Sequence, residues 1–228
     1  MIKKILIHTM DHNKQYEYFR RLSSHQLSKD FEIYYMVHKA DKLIQKNQYL
    51  YLNRIQSRIN IEKRLIKISS KNKELNVYIK NRLLSLFFNK YKTKYDKSKL
   101  DYIDSYFSGL MEDIPNTVGN IVYIDNINNN KELIEKINPD LIVVVGAPFI
   151  RSDIVNLDCK KINLHIGYLP NYRGLKTIEW AVLNKDFGRI GYTIHELTNE
   201  LDGGGIIKRR NIKVDEKNFD FKAVYAEL

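Results

Sequence analysis

Hydrophobic residues in this chain come in short runs separated by polar breaks, and the runs alternate between two periods. Residues 3–8 (Lys-Lys-Ile-Leu-Ile-His), 31–38 (Phe-Glu-Ile-Tyr-Tyr-Met-Val-His), 121–125, 141–145 and 161–165 are rich in β-branched and aromatic residues and predict strands. Residues 15–27, 131–137 and 151–156 read as helices, and residues 190–197 and 205–214 predict two final strands. Residues 126–130 read as a polar linker, and residues 219–228 look like the start of a helix, which predicts that the chain is cut short at Leu228. Strands alternating with short helices imply an α/β architecture around a twisted, mainly parallel sheet, and ligands on such sheets collect beyond the carboxyl ends of the strands.

Residues 39–115 depart from that rhythm. They read as mostly helical, with polar breaks at 69–73 and 93–98, and Leu83, Leu84, Phe87 and Phe88 follow helical spacing expected of a packed core. Charge singles out the same region. The chain has a formal net charge of +11, and residues 1–114 hold all of the excess, with 17 basic and 4 acidic residues between 39 and 99. Such a segment can attract nucleotide diphosphates, tRNA or an anionic membrane surface, and its aromatics, Tyr78, Phe87, Phe88, Tyr91 and Tyr95, can stack on bases. A solvated helical face with lysines outward is the simpler account, so nucleic acid is not the expected partner. A bias toward Lys, Asn and Ile throughout the chain also raises basic content without any functional cause.

Other features narrow the class. No run of 18 apolar residues exists, and the start lacks a signal peptide's cleavage region, so a cytoplasmic protein is expected. Cys159 is the sole cysteine, which excludes an intramolecular disulfide or a cysteine-based zinc site and predicts a buried thiol. No His/Asp/Glu cluster has metal-ligand spacing, so no metal is expected. The first strand runs into Thr9-Met-Asp-His-Asn13 rather than a Gly-x-Gly-x-x-Gly turn, so the sheet carries no dinucleotide signature.

Chemistry concentrates between residues 161 and 213. Asn163 and His165 lie two apart on a strand, hence on one face near its end, and Asp202 precedes three glycines in a loop that can reach them. An amine attacking a carbonyl carbon generates an oxyanion and an ammonium, so the site needs a donor and a proton acceptor. Asn163 suits the first task, His165 the second, and Asp202 can orient the imidazole. On residue types alone the alternative stays open that Asn163 and His165 satisfy backbone groups while Asp202 opens a turn.

The surrounding residues resemble the folate-dependent formyltransferases, a superfamily that includes glycinamide ribonucleotide formyltransferase, methionyl-tRNA formyltransferase and the nucleotide-linked amino-sugar N-formyltransferases. The resemblance rests on Asn163-Leu-His165, Leu169-Pro-Asn-Tyr-Arg-Gly174, the helix-like Ile178-Glu-Trp-Ala-Val-Leu183, Gly191-Tyr-Thr-Ile-His195 and Leu201-Asp-Gly-Gly204, five ordered elements at matching spacing. Upstream, Asn138-Pro-Asp-Leu-Ile-Val-Val-Val-Gly146 looks like the family strand that leads into a folate-contacting loop. Coverage runs from about residue 139 to 214, with weaker agreement at 3–8. One position departs: many members follow the histidine with Pro-Ser-Leu-Leu-Pro, and this chain has Ile166-Gly-Tyr-Leu-Pro170.

That resemblance implies a Rossmann-like formyltransferase fold over residues 1–228, with 39–115 as a basic helical insertion, and 10-formyltetrahydrofolate as formyl donor. It implies catalysis by Asn163, His165 and Asp202. Folate contacts are expected from Ala147, Pro148, Phe149 and Ile150, and from Asn199, Glu200 and Leu201. Tyr168, Arg173 and Gly174 are expected to meet the acceptor. The acceptor reading is a primary amine on a nucleotide-linked amino sugar for surface polysaccharide, in an enzyme that is expected to act as a homodimer. Methionyl-tRNA or glycinamide ribonucleotide as acceptor, or a non-catalytic RNA-binding or assembly domain, are the alternatives. His195 is expected to hydrogen-bond behind the site, Trp180 to pack its helix, and Lys208, Arg209 and Arg210 either to meet phosphate or to form a solvated edge.

Overall fold

The computed structural model describes residues 2–11, 13–39, 89–116, 118–216 and 219–228. The chain divides into two units, Met1–Lys39 with Tyr102–Leu228, and Ala40–Asp101. In chain order the described elements are β1 (Lys4–Met10), α1 (Lys14–Leu27), β2 (Glu32–His38), α2 (Asn89–Leu110), β3 (Asn120–Ile124), α3 (Lys131–Ile137), β4 (Leu141–Val145), α4 (Ser152–Val155), β5 (Lys160–His165), α5 (Thr177–Leu183), β6 (Gly191–Glu196), β7 (Ile206–Asn211) and α6 (Phe221–Glu227). The "polar linker" at 126–130 contains a 3-10 turn, Ile127–Asn129, capped by the Asn126 side chain.

One seven-stranded sheet organises the first unit, in the order β3-β2-β1-β4-β5-β6-β7. The pairs from β3 to β5 are parallel, and β6 and β7 add antiparallel. Parallel strands need covered faces, and the sequence supplies apolar side chains on both. Leu6, Met36, Ile124, Ile142 and Val144 face Ile134 and Ile137 of α3 and Ile154 of α4. Ile5, Ile7, Ile33, Tyr35 and Val37 project the other way, against Phe19 and Leu27 of α1. Ser23 and Ser24 of α1 hydrogen-bond to the buried Tyr35 hydroxyl at 2.7 and 2.9 Å, and Arg20 donates to the Met10 carbonyl at 2.6 Å. These bonds satisfy the polar groups that the packing of α1 buries. A third cluster, with Tyr172, Ile178, Ala181, Ile190, Ile212 and Val224, joins α5 and α6 to the β6–β7 end.

Helix α2 passes straight through residues 93–98, where a break was predicted. The polar residues there include neither Gly nor Pro, and Thr or Ser in a helix costs only a few tenths of a kcal/mol relative to Ala, roughly too little to end one. Residues 40–88 of the proposed basic insertion, with Leu83, Leu84, Phe87 and Phe88, lie outside the described residues, as does His12. Cys159 is half-buried beside the α3–α4 core. No described helix is long and apolar enough to cross a membrane.

His8 shows how tightly the sheet is closed. Its ring is fully buried, Nδ1 donates to the Met36 carbonyl at 3.0 Å, and its Nε2 has no partner. Burial, with a smaller contribution from the neighbouring His38, lowers its pKa from 6.5 to about 4. Above pH 6.5 the ring is neutral folded or unfolded. Between 6.5 and about 4 only the unfolded chain binds the proton, so stability falls as pH falls through that window. Urea unfolding is expected to lose up to about 3 kcal/mol between pH 7.5 and pH 4 from this group. In His8→Leu that part of the slope should vanish; an unchanged pH dependence would show that the ring titrates normally in the fold.

Candidate active site

The carboxyl end of β5 and the two loops that follow it build the site. Residues Asn163 and His165 share one face of β5, and across the antiparallel pair Asn163 stands opposite His195 while His165 stands opposite Thr193. Buried Thr193 pins the loop after β5, donating to the Gly167 carbonyl at 2.7 Å and accepting from Leu169 N at 3.1 Å. That loop then curls back over the strand end. Tyr172 offers its carbonyl to His165 Nε2 at 3.0 Å, and the Gly174 N–H donates to Asp202 Oδ2 at 2.8 Å.

Asp202 is the hub. Its Oδ2 lies 3.6 Å from His165 Nδ1 and its Oδ1 lies 3.7 Å from His195 Nε2, and its side chain is only 10% exposed. Burial acts to raise its pKa. The His195 side chain, the Gly174 N–H and the imidazole charge of His165 outweigh burial and hold the carboxyl below its ordinary value. The carboxylate is therefore ionised at neutral pH beside two imidazoles. Its backbone sits in the left-handed region at φ 46°, and the loop closes because a side chain at Gly204 would come within 1.9 Å of the Glu196 carbonyl oxygen. Asn163 completes the group, with Nδ2 3.1 Å from His195 Nε2. The three residues singled out as catalytic thus converge, and His195 joins them.

Gly167 is a site residue that motif reading alone did not find. A Cβ there would lie 2.3 Å from His165 Nε2 and 2.6 Å from the Tyr172 carbonyl oxygen, on top of the bond that orients the imidazole. This is where the chain has glycine in place of the resembled family's serine, so the departure is matched to its own packing. Gly167→Ala must push the ring or the Tyr172 backbone aside, and a misplacement near 1 Å at a reacting group typically costs on the order of 10²-fold in turnover. A variant with wild-type turnover would show that the ring is not held as described.

The other predicted contacts sort differently. Beside the site, the 147–151 loop is fixed by Asn128, whose Nδ2 donates to the Phe149 carbonyl at 3.0 Å and whose Oδ1 accepts from Arg151 N at 2.7 Å. Ile150 packs into the core with Ala147 at its edge, Pro148 is half-buried, and Phe149 is 62% exposed. In the loop that carries Asp202, Asn199 bonds to Asn156 at 3.3 Å and Leu201 is 58% exposed. Arg173 pairs with Glu200 at 2.6 Å, tying the loop after β5 to the loop that carries Asp202. Tyr168 lies under the Arg209 guanidinium, 4.7 Å from its ring centroid, and Arg209 also donates to the Leu169 carbonyl at 2.8 Å. Every residue of β7 is exposed, including Lys208 and Arg210. Trp180, expected to pack its helix, is 57% exposed, because the buried stripe of α5 is formed by Ile178 and Ala181. Among the described residues no group of three or more His, Cys, Asp or Glu is arranged to hold a metal ion.

Residues 125–227 match the family model described as Formyl transferase. That segment, somewhat under half of the chain, is similar to a family of enzymes that take a formyl group from 10-formyltetrahydrofolate. The bifunctional polymyxin resistance protein ArnA of Wigglesworthia glossinidia brevipalpis is 34% identical over 116 residues, which are 47% of this chain and 17% of that protein. A methionyl-tRNA formyltransferase of Sulfurihydrogenibium sp. (strain YO3AOP1) is 37% identical over 98 residues, 40% of this chain and 31% of that protein. The chain thus spans less than a third of the length of these two relatives. In fold it is similar to the X-ray structure of a sugar N-formyltransferase from Shewanella sp FDAARGOS_354, with a TM-score of 0.50 at 17% identity, covering 99% of this chain and 62% of that one.

Proposed function

We propose that this chain transfers a formyl group from 10-formyltetrahydrofolate to a primary amine, and that the amine belongs to a nucleotide-linked amino sugar. The observation that carries the reading is the convergence of Asn163, His165 and Asp202 at one strand end, with Asp202 between two imidazoles. In the reaction a bond forms between the amine nitrogen and the formyl carbon, and the bond from that carbon to the folate nitrogen breaks. Asn163 uses one amide N–H on His195 and has a second to offer the developing oxyanion. The His165–Asp202 pair takes the amine's proton and returns it to the departing folate nitrogen. Tyr172 holds the imidazole through its carbonyl, and Gly174 holds the carboxylate through its N–H.

Phe149 and Leu201 fit the donor. Two exposed apolar side chains on the flanking loops leave apolar surface beside convergent polar groups, the composition that a flat heterocycle requires. Folate supplies the activated formyl carbon, and the loops supply its placement. The acceptor class is supported by likeness in fold to the sugar N-formyltransferase. A cytoplasmic setting and a homodimer belong to the same proposal. The methionyl-tRNA formyltransferase relatives support a second acceptor, an aminoacyl-tRNA. Competition settles the choice: with 10-formyltetrahydrofolate fixed, kcat/KM is measured for nucleotide-linked amino sugars, glycinamide ribonucleotide and methionyl-tRNA. A preference of at least about tenfold for an amino sugar, a difference of roughly 1.4 kcal/mol, supports the proposal; the same preference for methionyl-tRNA replaces it.

A further inference from the structure

The role of His195 is the next step beyond the formyl-transfer reading, on which it rests. We propose that His195 is a positioning residue that fixes which way the Asn163 amide faces, so that an N–H, and not the amide oxygen, points to the reacting carbonyl.

The argument begins at the backbone. The β6–β7 pairing shifts register between Ile194 and His195, leaving one extra residue on β7 beside the ring. The His195 ring is 1% exposed. Its Nδ1 lies 2.8 Å from the Glu196 carbonyl oxygen, which only accepts, so the neutral ring carries its proton on Nδ1. That leaves a lone pair on Nε2. Asn163 Nδ2 lies 3.1 Å from it and donates one N–H. An amide anchored by its nitrogen in this way has its second N–H available and its oxygen turned aside.

Asp202 Oδ1 lies 3.7 Å from the same Nε2, beyond hydrogen-bonding distance, so the Asn163 amide at 3.1 Å is the nearer partner of that nitrogen. Rotation of the amide would set its oxygen against the Nε2 lone pair. The His165 ring approaches edge-on, with centroids 6.3 Å apart. His195 therefore touches no substrate atom and acts through Asn163.

Two substitutions and one spectroscopic readout test this. In His195→Gln the side-chain oxygen can accept the same N–H; in His195→Leu nothing can. His195→Leu is expected to lower kcat by roughly 10- to 100-fold, below the 10²–10³-fold cost of losing an oxyanion donor outright, with KM for the folate donor nearly unchanged. His195→Gln should recover most of that loss. Equal kcat in the two variants, or wild-type kcat in His195→Leu, overturns the proposal. Independently of turnover, ¹⁵N NMR should show His195 protonated on Nδ1 and bare on Nε2. The Asn163 side-chain NH2 signals should move in the Leu variant and stay in the Gln variant. A ring protonated on Nε2 in the neutral form overturns the proposal even if formyl transfer is efficient. The expected tautomer in a protein that formylates no amine removes the function reading and leaves the orientation of Asn163 standing.

Discussion

Asp202→Asn is expected to lower turnover by on the order of 10³-fold or more, while folate affinity stays within a few-fold. The substitution keeps the shape and the acceptor for the Gly174 N–H, and it removes the negative charge that stands 3.6 Å from His165 Nδ1 and 3.7 Å from His195 Nε2. Without that charge the imidazolium formed when the amine's proton arrives is no longer stabilised. The pH profile should move as well. In the wild type the contacts around Asp202 hold its carboxyl below the ordinary carboxylate range, so its charge persists as pH falls through that range and is lost only beneath it. The stability that ionised Asp202 lends the fold follows the same sign: present above the ordinary value and lost below the lowered one. A variant that loses folate binding and thermal stability together, with normal residual turnover, would make Asp202 a turn residue.

His165→Ala and Asn163→Ala form the second large prediction. Loss of the group that takes the amine's proton should cost on the order of 10²-fold or more, and loss of the oxyanion donor roughly 10²- to 10³-fold. The two should not add, because both act on one transition state through groups that share Asp202 and His195. Folding should survive in each, since neither side chain belongs to the apolar clusters of the sheet. Activity within a few-fold of wild type in His165→Ala would remove the imidazole from catalysis. KM for the folate donor distinguishes chemistry from binding: it should stay close to wild type in both.

Much of the framework was legible in the sequence because its signals are local. Strands such as Leu141–Val145 are short, buried on both faces and bounded by polar residues, and Lys131–Ile137 carries its helical period openly. Asn163 and His165 could be placed on one face from the alternation of a strand alone. Spacing cannot show how loops are held. The Asn128 side chain clamps the 147–151 loop from a stretch that read only as a polar linker, and its partners are more than twenty residues away. Arg173 and Glu200, assigned to acceptor and folate from motif position, turn toward each other across two loops. Gly167 looked like a lost hydroxyl, yet a side chain there would collide with His165 and the Tyr172 carbonyl. Trp180 is expected from its place in the helix after the Arg173–Gly174 loop to pack that helix, and the register of α5 turns it outward instead.

Mass detection of formylated product, wild type against Asp202→Asn, tests the central claim most directly. The purified chain is incubated with 10-formyltetrahydrofolate and a panel of nucleotide-linked amino sugars, and each amine is followed for the mass gain of one formyl group. The expected result is formylation of at least one amine by the wild type, with Asp202→Asn slower by on the order of 10³-fold at equal folate occupancy. Equal rates for the two proteins, or no formyl gain on any amine offered while folate binds, would contradict the account.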